Sequence, residues 1–197
     1  MSFTDSNEPV PAELRTGQFL LRPIVAGDAE ADYGAVMETR EYLRFWQQST
    51  WPEDDFTVEA NRKDLVDLEQ RHVEHRAFTY TVLDPDGTQC LGCVYVFPTS
   101  ATFLVKSTVT PVGDDEWADV DAVIFFWARL SGMEMGMDER LLAALRTWFN
   151  EQWKLKRAVY VTNEQFKQQV DLIDCTNLTL KFELLEPGKV GKYLAFG

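Results

Sequence analysis

Residues 119–161 read DVDAVIFFWARLSGMEMGMDERLLAALRTWFNEQWKLKRAVYV, and this stretch decides the fold. Residues 118–129 are apolar on both faces, which is typical of a central strand buried on two sides. Leucine, tryptophan and phenylalanine then recur at helical spacing and predict an amphipathic helix over 138–153. Residues 158–161 predict a second strand. A strand, helix and strand in this order imply a parallel strand pair within one sheet.

The chain on either side of this unit predicts antiparallel strands. Residues 78–83 and 90–97 flank the turn signal DPDG and predict a β-hairpin. Residues 102–110 are rich in β-branched side chains and are expected to extend this meander. Further strands are predicted at 19–24, 178–185 and 190–196, and helices are predicted from about 28 and 42 and at 57–75 and 165–174.

The length and composition predict a single packed domain. The chain has 197 residues, of which 45% are hydrophobic and 26% are charged, as in ordinary globular proteins. Residues 1–17 are polar with two prolines and are expected to form a flexible N-terminal arm. Residues 18–197 are expected to form one domain of the α/β (α+β) class.

The charge balance argues against two classes of partner. A net charge of -13 disfavours nucleic acid and anionic membranes, because both require a positive face, whereas a cationic amine would be attracted. We find neither a membrane-spanning apolar run nor a signal-peptide layout at the start of the sequence. An odd number of cysteines, three, fits a reducing compartment, so the expected location is cytoplasmic.

The order of elements and several local phrases resemble the GNAT N-acetyltransferase family. The phrases are FLLRPIVAGDAEA, TVLDPDGTQCLGCVYVF, DAVIFFWARL and RAVYVTNEQ, and the resemblance covers about residues 18–197. It implies a mixed, mostly antiparallel central sheet with a splayed parallel strand pair, flanked by helices. It also implies acetyl-CoA as cosubstrate and transfer of an acetyl group to a primary amine of a small molecule or a protein N-terminus.

The resemblance also implies where the coenzyme binds. In the family the pantetheine arm pairs with the first splayed strand, and the diphosphate lies on a loop of pattern Gln/Arg-x-x-Gly-x-Gly/Ala at a helix N-terminus. Residues 133–138 fall on that loop. The implied coenzyme contacts are Phe126, Trp127, Ala128, Met135, Gly136, Met137, Asp138 and Asn163.

The coenzyme loop departs from the family pattern, and this leaves two hypotheses open. Met133 replaces the basic or amide residue, and Asp138 places a negative charge where the diphosphate would lie. The preferred interpretation of Asp138 is the N-cap of the following helix. Asn177 stands where the family usually has a tyrosine. The alternative to an acetyltransferase is therefore a catalytically inactive GNAT-fold binding or interaction protein with impaired CoA binding.

Acid–base catalysis requires a base for the amine and an acid for the leaving thiolate. Asp119 and Asp121 precede the central strand and are candidate bases, although acidic residues at a strand end are commonly only solvated. Tyr160 is the candidate acid. In the aromatic block of residues 42–51 the side chains either line an acceptor pocket or belong to the core, and exposed members would indicate a protein-binding surface or homodimer contact.

A zinc site is considered and not predicted. His72-x-x-His75 and Cys90-x-x-Cys93 provide four zinc-type ligands. Both cysteines lie within one predicted strand, however, and are expected to point to opposite faces. Buried cysteines that pack as small hydrophobic side chains are the preferred interpretation.

Overall fold

The computed structural model describes residues 3–4 and 9–197. Within them, nine strands form one sheet in the order β1-β2-β3-β4-β6-β7-β9-β8-β5. The strands are β1 Leu14–Arg15, β2 Leu20–Pro23, β3 Phe78–Leu83, β4 Cys90–Phe97, β5 Thr108–Pro111, β6 Ala122–Ala128, β7 Ala158–Asn163, β8 Leu180–Leu185 and β9 Tyr193–Phe196. The helices are α1 Ala29–Glu38, α2 Arg40–Gln47, α3 Val58–Val73, α4 Thr102–Lys106, α5 Leu130–Met133, α6 Met137–Glu151 and α7 Lys167–Asp174.

Every neighbouring pair of strands is antiparallel except β6 and β7, which are parallel. Helix α6 connects these two strands, as the strand–helix–strand pattern of the sequence predicts. The predicted fold class, a mixed and mostly antiparallel sheet flanked by helices, is confirmed.

The sheet buries a separate core on each face. Strand β6 is buried along its whole length, and its side chains alternate between the two cores. Phe125 and Trp127 pack towards α1 and α2, whereas Ile124 and Phe126 pack towards α6. The apolar face of α6 covers the second core with Leu141, Leu142, Leu145, Trp148 and Phe149. Burying apolar surface on both faces of the sheet stabilises β6 as its central strand.

A β-bulge in β4 places its backbone very close to β6. Val82 pairs with Gly92 and Leu83 pairs with Cys90, so Leu91 has no opposite residue. Gly92 has a φ of 151°, and a Cβ atom at this position would lie 2.1 Å from the carbonyl oxygen of Trp127. Only glycine fits both the dihedral angle and the spacing.

Residues 102–110 do not follow the predicted layout. The expectation that 102–110 extends the meander is wrong, because Thr102–Lys106 forms the short helix α4 and Thr108–Pro111 pairs instead with β8 at the far edge of the sheet. Burial of Leu104 in the core that the sheet forms with α1 and α2 outweighs the local β-propensity.

The predicted N-terminal arm lies partly outside the described residues. Within it, Leu14–Arg15 pairs with β2, and the hydroxyl of Tyr80 donates to the carbonyl oxygen of Pro11 over 2.7 Å. In the described part of the chain we find no helix that is both long enough and apolar enough to span a bilayer.

Candidate active site

The two parallel strands β6 and β7 separate part of the way along their length. Their pairing ends at Ile124 and Tyr160, although β6 continues to Ala128 and β7 to Asn163. On its other side β6 stays paired with β4 as far as Ala128. Backbone groups beyond the end of the β6–β7 pairing need other partners, because they lie in the interior. The separation therefore forms a gap in the middle of the sheet.

A side chain from α7 occupies this gap. Gln169 is 3% exposed, and its Nε2 donates to the carbonyl oxygen of Phe126 over 2.9 Å. Its Oε1 is buried and has no hydrogen-bond partner within the described residues. Leaving a buried acceptor unpaired costs about 1–3 kcal/mol. Gln169 thus supplies a hydrogen-bond donor to the Phe126 carbonyl of β6, whereas its own side-chain carbonyl oxygen stays unpaired.

Beside the gap lies a narrow slot with a volume of about 10 Å³. This volume holds about one water molecule. Trp46 forms part of the wall, and its buried indole N–H has no acceptor within the described part of the chain. Asp138 and Gln168 also line the slot, and Nε2 of Gln168 donates to the Asp138 carboxylate. The slot is closed by side chains that bond to one another.

Most backbone N–H groups of the loop between β6 and α6 donate to carbonyl oxygens within the loop. It contains the helical turn α5, and the five backbone N–H groups of residues 132–136 each donate to a carbonyl oxygen within residues 129–133. Gly136, with a φ of 69°, ends the loop, and α6 begins at Met137. Asp138 is therefore the second residue of α6, and the expectation that it is the N-cap is wrong. Its carboxylate still accepts from the backbone N–H of Glu139 over 3.0 Å.

The preceding amides of the same loop bind side chains of α1 and its C-cap. The backbone N–H of Ser131 donates to Glu38 over 3.0 Å, and that of Leu130 donates to the hydroxyl of Thr39 over 3.0 Å. The Arg129 guanidinium pairs with Glu38 over 2.5 Å. Its hydrogen bonds, followed by that from Ser131, lower the pKa of Glu38 to about 2. An anion of the protein itself therefore occupies this end of β6.

The two halves of a coenzyme A molecule fit this site differently. Among the residues that line the slot, Trp46 has an unpaired donor and Gln169 an unpaired acceptor, and the amide groups of a pantetheine arm would complement both. Diphosphate binding at the loop is disfavoured, because the amides of 132–136 are already bonded and the first turn of α6 carries Asp138 and Glu139. A diphosphate bound here would face like charges.

A larger cavity of about 280 Å³ opens on the same face of the sheet as α2. Phe125 lines it at the level where β6 and β7 separate, and Trp46 lines both this cavity and the slot. Six aromatic side chains contribute to its walls: Trp46, Tyr95, Phe97, Phe103, Phe125 and Tyr193. Phe97 and Phe103 meet edge to face with ring centroids 5.0 Å apart. The cavity is a preformed apolar site next to the gap.

Polar groups of this cavity come mainly from the turn between β8 and β9. Nζ of Lys189 donates to the carbonyl oxygens of Gln47 and Gln48 over 2.7 and 3.3 Å. The hydroxyl of Tyr193 donates to the Gln47 carbonyl over 3.0 Å, and burial followed by the charge of Glu186 raises the pKa of Tyr193. Glu186 is the one carboxylate among the described residues that line the cavity.

The residues predicted for catalysis lie apart from the gap. Asp119 forms an ion pair with Arg157 over 3.1 Å, and Asp121 accepts from the Arg157 backbone N–H over 2.9 Å. Both precede β6, at the end where it pairs with β7. Tyr160 packs in the core on the α6 face, and burial raises its pKa. The structure does not bring these three side chains to the aromatic cavity, and their catalytic role stays a prediction.

The residues predicted to bind the coenzyme surround the gap and the loop. Phe126 presents its carbonyl oxygen to the gap, and Trp127, Ala128 and Asp138 line the slot. Met135 is exposed, whereas Met137 is buried against Gly132. The Asn163 side chain donates to the Phe45 carbonyl over 2.5 Å and accepts from the Gln165 backbone over 3.0 Å. Coenzyme binding by these residues stays a prediction.

The two cysteines of the CxxC motif point the same way. Sγ of Cys93 and Sγ of Cys90 lie 3.4 and 3.8 Å from Oδ1 of Asp32. The expectation that they face opposite sides is wrong, because the bulge at Leu91 and Gly92 shifts the alternation by one residue. His72 packs against Phe78 and Tyr80. Within the described residues, no group of three or more His, Cys, Asp or Glu side chains is placed to hold a metal ion.

Asp32 gives this cluster a predictable pH dependence. Burial raises its pKa above the ordinary value of 3.8, even though Asn61 donates to it over 2.9 Å. The folded state therefore holds the proton more tightly than the unfolded state. Protonated Asp32 therefore contributes fully to stability below its pKa in the unfolded state, and this contribution is lost as the pH rises through its pKa in the folded state.

We expect Asp32→Asn to gain stability relative to the wild type as the pH rises from about 4 to neutrality. The slope is at most about 1.4 kcal/mol per pH unit. Urea unfolding at several pH values measures the difference, and Asp86→Asn, in the β3–β4 turn, is the matched control. A difference between Asp32→Asn and wild type that does not change with pH would contradict this expectation.

Three contributors to the site were missed from the sequence. Gln168 and Gln169 lie on α7, where Gln169 shares the buried face with Val170 and Ile173. A glutamine at a core-facing helical position was the available signal, since such a group must find a buried partner. Glu38 gave no local signal, because its partners Arg129 and Ser131 lie more than ninety positions further along the chain.

The strand order, the single parallel pair, its separation and the helix that connects the two strands are those of the GNAT N-acetyltransferases, so the chain has the GNAT fold. No protein-family model matches the sequence, and no curated protein matches it significantly.

Solved structures support the same assignment. RimL, a ribosomal L7/L12 alpha-N-protein acetyltransferase, has a TM-score of 0.69 at 16% identity, covering 96% of this chain and 94% of its own. The ribosomal-protein-S5-alanine acetyltransferase from Vibrio fischeri has 0.66 at 15%, covering 94% and 95%. The microcin C7 self immunity acetyltransferase MccE, in complex with acetyl-CoA and AMP, has 0.66 at 14%, covering 92% of both chains.

Proposed function

We propose that this protein is an N-acetyltransferase that transfers an acetyl group from acetyl-CoA to a primary amine. The observation that carries the proposal is the separation of β6 and β7 next to an aromatic cavity. Once Gln169 is released from Phe126, the gap would admit a thioester arm along β6, and the cavity would admit an amine from the α2 face. The likeness in fold to RimL and MccE supports this assignment, since both are named acetyltransferases.

The bound acetyl-CoA would supply the activated acetyl group. The protein's own residues would position the reactants. The Phe126 carbonyl would accept from the arm once Gln169 moves aside, and Trp46 would donate from the wall shared by slot and cavity. Glu186 would attract the ammonium form of the amine into the cavity. Positioning of two reactants is expected to contribute most of the rate enhancement.

A second candidate function is a binding protein that has lost acetyl transfer. The observation that favours it is the closed coenzyme site, with a slot of about 10 Å³ and a loop whose amides at 132–136 are bonded within the loop. The neighbouring structures give it no support, because those named above are acetyltransferases.

Titration with acetyl-CoA distinguishes the two functions. At a hundred times the dissociation constant, the ligand is expected to stabilise an acetyltransferase by about 2.7 kcal/mol, measured as a rise in the thermal midpoint. Release of the free thiol in the presence of small primary amines then measures transfer. No thermal shift at millimolar acetyl-CoA, together with no thiol release, would reject the acetyltransferase in favour of the binding protein.

A further inference from the structure

The walls of the aromatic cavity favour a flat apolar group. Phe97, Phe103 and Phe125 meet one another with ring centroids 5.0 to 6.0 Å apart. Tyr193 meets Phe125 edge to face at 6.2 Å. An aromatic ring placed among them would gain both apolar burial and further ring contacts. Aromatic faces also attract a cation held close to them.

The free hydrogen-bonding groups of the cavity favour a cation over an anion. Glu186 and Lys189 are the charged residues that line it. The ammonium of Lys189 is engaged by the carbonyl oxygens of Gln47 and Gln48. The Glu186 carboxylate takes part in no ion pair or hydrogen bond within the described part of the chain. The Glu186 carboxylate oxygens are therefore free to accept hydrogen bonds from a ligand, whereas donors of Lys189 are already used.

The size and the remaining polar groups favour a small molecule over a peptide. A volume of about 280 Å³ is just below the usual range of small-molecule sites, which is about 300–1,000 Å³, and therefore suits a small ligand. A peptide would need free donors and acceptors for its backbone. The hydroxyl of Ser107 already donates to the Phe103 carbonyl over 2.8 Å, and that of Tyr193 donates to Gln47.

We infer that the cavity binds a small aromatic primary amine, with its ring against Phe97, Phe103 and Phe125 and its ammonium group beside Glu186. The inference rests on the proposed function only in making this amine the acetyl acceptor. Binding of the amine itself requires no acetyl-CoA, so the two can fail separately.

Calorimetric titration of the full chain without acetyl-CoA tests the inference. The probes are phenethylamine, phenethyl alcohol and a seryl-alanyl-alanine peptide with a free amino group. Phenethylamine is expected to bind at least about fivefold more tightly than the alcohol, since a unit charge pair about 4 Å apart is worth about this factor in water. It is also expected to bind more tightly than the peptide, which has an ammonium group but no aromatic ring. A peptide that binds as tightly as phenethylamine, or an alcohol that equals it, would overturn the inference.

Two variants separate the ring from the charge. Glu186→Gln is expected to weaken phenethylamine by about fivefold and to leave the alcohol unchanged. Phe103→Ala is expected to weaken both ligands by a similar factor, because it removes one wall. Glu183→Gln, whose carboxylate lies on β8 and pairs with Lys192 over 2.5 Å, is the control and should bind like the wild type. Loss of amine affinity in Glu183→Gln equal to that in Glu186→Gln would also overturn it.

Discussion

Gly92→Ala is expected to lower the free energy of unfolding by about 2–6 kcal/mol. The new Cβ atom would lie 2.1 Å from the carbonyl oxygen of Trp127 and 3.1 Å from the Cα of Ala128, both backbone atoms that cannot rotate away. The φ of 151° adds backbone strain of about 1–3 kcal/mol for any residue with a side chain. A steric overlap in a packed interior adds about 1–3 kcal/mol more.

Urea unfolding followed by tryptophan fluorescence measures this loss. Gly113→Ala is the matched control, because no atom lies within 4 Å of its Cβ position, and it should change stability by less than about 0.5 kcal/mol. If Gly92→Ala unfolded at the same urea concentration as Gly113→Ala, the close approach of β4 and β6 would be wrong.

Asp138→Asn is expected to tighten acetyl-CoA binding by about fivefold or more. The substitution removes a negative charge from the first turn of α6 and keeps the shape of the side chain and its position beside Gln168. A like charge about 4 Å from a phosphate costs roughly 1 kcal/mol in water and roughly 4 kcal/mol at an effective dielectric constant near 20. Each 1.4 kcal/mol corresponds to about a factor of ten in affinity.

Calorimetry with two ligands isolates the charge effect. Acetyl-pantetheine lacks the diphosphate, so its affinity should be the same for Asp138→Asn and wild type. Glu151→Gln, at the opposite end of α6, is the control for a general change in net charge. Equal gains for acetyl-CoA and acetyl-pantetheine would show that the variant opens the slot rather than removing repulsion.

The fold was largely predictable from sequence, because the decisive signals are local. The apolar run of β6 and the helical periodicity of Leu141, Leu145 and Trp148 each lie within one short segment of the chain. The burial of these residues in the structure agrees with both signals. The error at α4 has a non-local cause. Leu104 is buried against residues far away in sequence, and this packing decides the conformation of a segment with β-forming side chains.

The candidate site was less predictable, because its main features join distant parts of the chain. The unusual loop was visible through Met133 and Asp138. The bonds that close the site were not, since Gln169 reaches Phe126 across 43 positions and Glu38 reaches Arg129 across 91. The cavity likewise combines α2, α4, β6 and the β8–β9 turn. Side-chain spacing within one segment carries no information about such pairs.

The Gln169 side chain would compete with the arm of acetyl-CoA for the same backbone group, the Phe126 carbonyl oxygen. Its carboxamide is part of the fold and bonds the Phe126 carbonyl oxygen. If acetyl-CoA binds along β6 as proposed, its arm would bind only those molecules in which α7 has released this carbonyl. The apparent dissociation constant is then the intrinsic one divided by that open fraction. A weak apparent affinity for acetyl-CoA would therefore reflect the rarity of the open form as well as the contacts made once it is reached.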